Sequence, residues 1–155
     1  MKGNPEIIAK LNELLTAELT AIDNYFVHAK IMHHMGYNKL KDQFQHEMED
    51  EQGHASKIIE RIVFLEGIPE VSARLPFKVE KDVQKVLEQD LAAEHVVKRL
   101  LGECIDLCFV KKDFGTLEVI EPLLVDTEED HIDWLETQLS IINDIGIKLY
   151  LAEKM

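Results

Sequence analysis

The sequence predicts an all-α protein: a bundle of four long helices with a long middle crossover and a short fifth helix at the C-terminus. Three observations lead there. Apolar residues recur with a 3.6-residue period along four long stretches. Glycine and proline are sparse, seven and four in 155 residues, which suits uninterrupted helices. The connections between the stretches read short, long, short.

The first helix is expected from Pro5 to about His34, with Ile7, Ile8, Leu11, Leu14, Leu15, Leu19, Ile22, Phe26 and Ala29 on its inner stripe. Pro5 suits a first turn and Gly36 a stop. The second is expected from Asn38 to about Glu66, carrying Leu40, Phe44, Met48, Ala55, Ile58, Ile62 and Leu65 inward, and ending at Gly67-Ile68-Pro69. Residues 70–79 hold Ser72 and Pro76 and show no helical period; this is the crossover. The third helix is expected over about Lys81 to Lys111, with Val83, Leu87, Leu91, Val97, Leu101, Cys104 and Cys108 inward. After a break near Lys112 to Gly115 comes the fourth, marked by Leu117, Leu124, Leu135, Leu139 and Ile142. Pro122 lies inside it and is expected to kink or bulge it. A minor helix follows Gly146, over Ile147 to Ala152.

The length, with 46% apolar residues, fits one globular domain over 1–155 with a real core. A formal charge of -13 argues against nucleic acid, whose phosphates need a basic surface, and fits a protein that attracts cations. No apolar run approaches the roughly 20 residues that cross a bilayer. Met1-Lys-Gly-Asn-Pro5 leads into the first amphipathic pattern without a signal-peptide pattern. Cys104 and Cys108, one turn apart on one helix face, read as reduced core residues, so the expected compartment is the cytoplasm.

Charged residues interrupt the apolar stripes at a few places only. Glu18 and Glu94 stand alone where apolar residues are expected, and Glu51-Gln-Gly-His54 and Glu128-Glu-Asp-His131 are two Glu-x-x-His pairs. On an α-helix, i and i+3 are neighbours on one face, separated by about 4.5 Å of rise. Glu51 follows Glu18 by 33 residues and Glu128 follows Glu94 by 34, so each half of the chain supplies a lone glutamate and then a Glu-x-x-His. Any one of the six alone reads as a solvated charge. All six inside stripes, symmetrically paired, do not. Four carboxylates and two imidazoles facing a bundle interior are costly to desolvate without a compensating charge, and two divalent cations would supply it. The mixed oxygen and nitrogen donors suit iron or manganese; zinc could occupy such a site without redox turnover. A lone Glu on each of two helices and a Glu-x-x-His on each of the others is the ligand pattern of ferritin-like di-iron proteins.

At these residues the chain resembles the bacterioferritins over nearly its whole length. Supporting stretches are Met1-Lys-Gly, Leu14-Leu15-x-x-Glu18-Leu19, Ile59-Glu-Arg-Ile-Val-Phe-Leu-Glu-Gly-Ile-Pro69, His131-Ile-Asp-Trp-Leu-Glu-Thr137 and Leu149-Tyr-Leu. The resemblance implies a ferritin-like bundle assembled into a 24-subunit cage that stores iron. It implies ferroxidase activity: two iron ions per subunit, oxidised from Fe(II) to Fe(III) by O2 or peroxide. Catalytic and metal-binding residues are then Glu18, Glu51, His54, Glu94, Glu128 and His131, with Glu51 and Glu128 bridging. His46 and Asp50 match an iron position on the inner surface, and Tyr25 an aromatic that can supply an electron.

The resemblance departs at Gln52. Bacterioferritins bind haem between two subunits through a methionine at this position, and an amide is a poor axial ligand beside a thioether. Haem b is therefore expected to be absent or weakly held in the homomer. A haem-free subunit of a mixed bacterioferritin shell is the alternative reading; a small di-iron peroxidase of rubrerythrin type is another, although its usual Cys-x-x-Cys module is missing. The interval before the second Glu-x-x-His is one residue longer than in many members. A local bulge is expected there, restoring the register of Glu128 and His131.

Overall fold

Helix α1 spans Pro5–Met35 and α2 Asn38–Phe64 in a computed structural model that describes all 155 residues. Asn4 caps α1, its side chain accepting from the Glu6 amide at 2.8 Å, with Pro5 in the first turn where no amide donor is missed. Gly36 closes it at φ 86°, a left-handed conformation that costs glycine little. The end of α2 differs from expectation in detail. The left-handed residue is Glu66, at φ 62°, and not Gly67. Gly67 is needed for closeness instead: a Cβ there would lie 2.7 Å from Cγ2 of Ile8.

The crossover, residues 65–82, contains no strand or helix and is tied along α1. Asn12 donates to the Ile68 carbonyl at 3.1 Å and accepts from the Glu70 amide at 2.8 Å. Further on, the Leu75 amide donates to Thr20 Oγ1 at 2.9 Å, and Arg74 pairs with Asp23 at 2.8 Å. These contacts satisfy a stretch of irregular backbone that no ladder serves. Helix α3 (Val83–Lys111) starts two residues later than expected because Asp82 caps it, accepting from the Lys85 amide.

The fourth rod is not one continuous α-helix. It is α4 (Phe114–Asp126), a six-residue π-helical segment (Thr127–Ile132) and α5 (Asp133–Ile145). The expected bulge is present, but it forms at Thr127, and Pro122 sits inside α4. Past Gly146, α6 (Ile147–Glu153) folds back: Tyr150 donates to Gln138 at 2.9 Å, and the Lys39 amide donates to the Lys154 carbonyl. No helix is long and apolar enough to cross a membrane.

Two apolar clusters fill the bundle, one toward each end. The first takes Ile7 to Ala17 of α1, Ala55 to Leu65 of α2 and its turn, Val97 to Cys108 of α3 and Leu117 to Leu123 of α4. The second takes Ala21 to Met32, Leu40 and Phe44, Val83 to Leu87, then Leu135, Ile142 and Tyr150. On every rod the break between the clusters falls at an expected metal ligand: Glu18, Glu51 with His54, Glu94, and His131. The site is a polar layer at mid-height.

The inner stripe of α1 differs from expectation at its C-terminal end. Phe26 is 52% exposed, with the Lys30 ammonium over its ring, while Tyr25, His28 and Met32 are buried. Continuing from Leu11, Leu14 and Glu18 in steps of three, four and seven leads to Tyr25 and Met32. Phe26 falls on the flank of that stripe. Met48 is half-buried against the second cluster.

Candidate metal centre

Five of the six expected ligands converge. Glu18, Glu51 and His54 form one group whose donor atoms lie within 4.8 Å of one another, and Glu51, Glu94 and His131 form a second. Glu51 belongs to both, as a bridging carboxylate would. All five residues are buried, none more than 3% exposed. The two imidazoles lie nearly parallel, ring centres 5.6 Å apart at 12°.

The sixth, Glu128, is not brought in. Its side chain is 44% exposed and stands 3.6 Å from Lys98 Nζ. The reason is helical geometry. The i,i+3 neighbour rule holds for the α-helix, whereas a π-turn closes i to i+5 and takes up one residue more. Four residues, not three, then separate His131 from its neighbour on the inner face. That neighbour is Thr127, fully buried, its hydroxyl donating to the Leu123 carbonyl at 2.8 Å. The bulge restores the register of His131 and rotates Glu128 outward.

Within the cluster the buried groups shift one another's titration. Burial, and then the charge of Glu51 beside it, pushes Glu18 well above the usual carboxylate range. Burial acts on Glu51 in the same sense, but the close approach of Glu18 and of the His131 and His54 rings overcomes it and holds Glu51 low. Burial raises Glu94 to about 7, with Glu51 adding to the shift. Both imidazoles go up against their own desolvation, His54 to about 11 through Glu18 and Glu51, His131 to about 12 through Glu51 and Glu94.

Hydrogen bonding is nevertheless incomplete. Both oxygens of Glu18 and of Glu51, Glu94 Oε2 and His54 Nδ1 are buried without a hydrogen-bond partner. His131 Nδ1 approaches Glu51 Oε1 to 2.6 Å, off the direction of a hydrogen bond, and bonds Glu94 Oε1 at 3.2 Å. So many unsatisfied donors of lone pairs in one buried layer fit cations better than they fit one another.

Further polar residues ring this layer. Tyr25 donates to Glu94 Oε1 at 2.6 Å. Glu47, 2% exposed, lies 3.1 Å from His131 Nε2 and joins Asp50 and His131 in a third potential cation group. Asp50 is also 3.3 Å from His46, so the expected inner-surface pair sits together, on an exposed part of α2. Asp126 reaches His54 Nε2 at 3.2 Å. One step deeper, His28 and Asp90 form a fully buried pair at 3.0 Å. Sequence reading passed over Glu47, Asp126, His28 and Asp90. Glu47, Glu51 and His54 share one α-helical face at i, i+4 and i+7, a signal present in the sequence; Asp126 has none, since its placement depends on the π-turn. Gln52 is exposed on the surface of α2.

A family profile described as the ferritin-like domain matches residues 8–145. A bacterial ferritin of Synechocystis sp. is 43% identical over 155 residues, which cover all of this chain and 99% of that protein. One from Pseudomonas aeruginosa is 41% identical over 157 residues, covering both chains completely. A bacterioferritin of Mycolicibacterium paratuberculosis is 39% identical over 153 residues, 99% of this chain and 96% of the other. Similarity at this level, end to end, makes the chain a member of the ferritin-like family, alongside the bacterial ferritins and bacterioferritins.

Proposed function

We propose that the chain is a ferroxidase subunit of an iron-storage cage. Two Fe(II) ions are its substrate, one held by Glu18, Glu51 and His54, the other by Glu51, Glu94 and His131. Each ion gives up one electron to O2 or peroxide, and the Fe(III) product is deposited as mineral. The observation that carries this reading is the set of buried, unpartnered carboxylate and imidazole atoms on four rods. Binding of the ions displaces the protons that balance the metal-free cluster, and Glu51 between the two groups keeps both ions in reach of one oxidant. Asp50, a member of the third group, and His46 next to it are a landing position for iron leaving the centre.

Glu128 joins the ligands only if it releases Lys98. The half-exposed pair itself is worth only ~0–1 kcal/mol, so the π-turn that faces Glu128 outward, more than Lys98, is what an inward move has to change. Rapid mixing with Fe(II) and O2 tests the whole assignment: fast ferric absorbance should appear in the wild type and vanish in Glu51→Ala and His54→Ala. Equal rates in those variants would refute it. Glu128→Ala decides the sixth ligand by the same measurement, a lost fast phase placing it in the set and a wild-type rate leaving it out.

Assembly into a 24-subunit shell belongs to the same proposal. Val63, Phe64, Phe109, Val110 and Phe114 are each more than half exposed, at the C-terminal ends of α2 and α3 and the start of α4. An apolar patch of that kind is what subunit contacts cover. Elution near twenty-four times 17.9 kDa supports the shell, and a two-subunit species would remove it. With Gln52 at the haem-ligand position, the homomer is haem-free or weakly loaded; the chain could still share a shell with a haem-binding subunit. A strong Soret band from the chain purified alone would overturn the haem statement.

A further inference from the structure

We propose that Asp126 is a positioning residue for His54: its carboxylate accepts a hydrogen bond from Nε2–H and so reserves Nδ1 for a cation between Glu18 and Glu51. The inference rests on the iron-centre reading above and adds a residue to it.

His54 presents two nitrogens to two different environments. Nε2 makes an aligned hydrogen bond to Asp126 Oδ2 at 3.2 Å. Nδ1, buried, has no hydrogen-bond partner, although it faces Glu51 at 3.4 Å and Glu18 at 3.7 Å. A neutral imidazole carries one N–H and one lone pair, and the hydrogen bond made by one nitrogen fixes the role of the other. Asp126 therefore sets the tautomer with the lone pair on Nδ1, the side on which the unpartnered carboxylate oxygens lie. It also holds the ring plane, which the i,i+3 spacing from Glu51 alone would leave free to rotate. Outer carboxylates that accept from a metal-bound histidine do both jobs in many metalloproteins.

Asp126 has no second occupation. Its side chain is 51% exposed, and no lysine or arginine lies within ion-pairing distance; the residues that meet it are His54 alone among charged groups. Its position follows from the irregular fourth rod. Asp126 is the last residue of α4, and the π-helical segment begins at Thr127. The same extra residue that turns Glu128 toward Lys98 leaves Asp126 over the outer edge of His54. His131 has no equivalent: Glu47 is 3.1 Å from its Nε2 but off the hydrogen-bond direction.

The test is Co2+ binding by the full-length assembled protein without iron, followed by calorimetry and by visible absorption of the bound ion. Wild type should take up two Co2+ per chain at the centre, and His54→Ala should weaken one. Asp126→Ala should keep the stoichiometry but weaken one of the two ions by about 10–100-fold, with a changed Co2+ spectrum. Asp126→Asn, which keeps an acceptor oxygen, should recover much of both. Glu129→Ala, an exposed neighbour in the same segment, controls for disturbance of the π-turn. Wild-type affinity and spectrum in Asp126→Ala would overturn the proposal. Complete loss of one Co2+ in both Asp126 variants would also overturn it, making Asp126 a direct ligand. A wild-type chain that binds no Co2+, or a His54→Ala variant that binds it unchanged, would defeat the iron-centre reading itself.

Discussion

The two halves of the candidate metal centre share Glu51 and are built from the same residue types, yet they are closed in different ways. The His131 half is tight: Nδ1 bonds Glu94, Glu94 accepts from Tyr25, and Glu47 stands behind the ring under full burial. The His54 half is looser on its inner side, where Nδ1 has no partner, and is anchored from outside by a half-exposed aspartate. The sequence repeat that relates the halves is broken by one residue in the fourth rod. A single extra residue there converts a symmetric ligand pair into an inner and an outer arrangement. Chemical equivalence of ligands does not guarantee equivalence of their supports.

The largest expected effect comes from removing what the halves share. Glu51→Ala should abolish fast Fe(II) oxidation, because each ion loses a ligand at once; stopped-flow absorbance after mixing with O2 measures it. The comparison sharpens with single-half variants. Asp126→Ala should slow oxidation through one ion only and weaken one Co2+ by about 10–100-fold, while Tyr25→Phe should leave both ions bound. In Tyr25→Phe the buried Glu94 loses its donor, at a cost of ~1–3 kcal/mol to the metal-free protein, read as a lower midpoint in thermal unfolding.

Proton balance distinguishes the halves less strongly. Both imidazoles are held protonated at neutral pH in the metal-free protein, His54 near 11 and His131 near 12, and a cation needs the neutral ring. Cation uptake should therefore release protons, and affinity should fall as pH is lowered from 8 to 6; Co2+ calorimetry in buffers of different ionisation enthalpy reads the release. The smallest effect concerns thiols. Burial pushes Cys104 up to about 12 and raises Cys108 as well, so neither should react with iodoacetamide in the native fold at neutral pH, while both should after unfolding. Mass spectrometry of alkylated protein checks it.

Much of this protein was legible in the chain. The apolar period located four rods and the crossover, because a stripe of Leu, Ile and Val has one way to leave water. Glu18, Glu51, His54, Glu94 and His131 could be singled out because a charge inside such a stripe must be neutralised where it is buried. Gly36 marked the end of α1 for reasons local to its own backbone. These are properties of one helix, or of one residue within it.

Other features belong to the folded molecule alone. Gly67 reads as a turn residue but is fixed by the approach of Ile8, some sixty positions away. Phe26 looked inward by period and is turned out by the packing of Tyr25 and Met32. Above all, the fate of Glu128 depended on helical pitch. The sequence determined that a carboxylate and an imidazole stand three residues apart; only the tertiary structure decided whether three residues meant the same face. With the rods packed at both ends around fixed apolar clusters, an extra residue between them has to be absorbed within the turn. It is absorbed as a π-segment, which keeps His131 inside, turns Glu128 out and leaves Asp126 against His54.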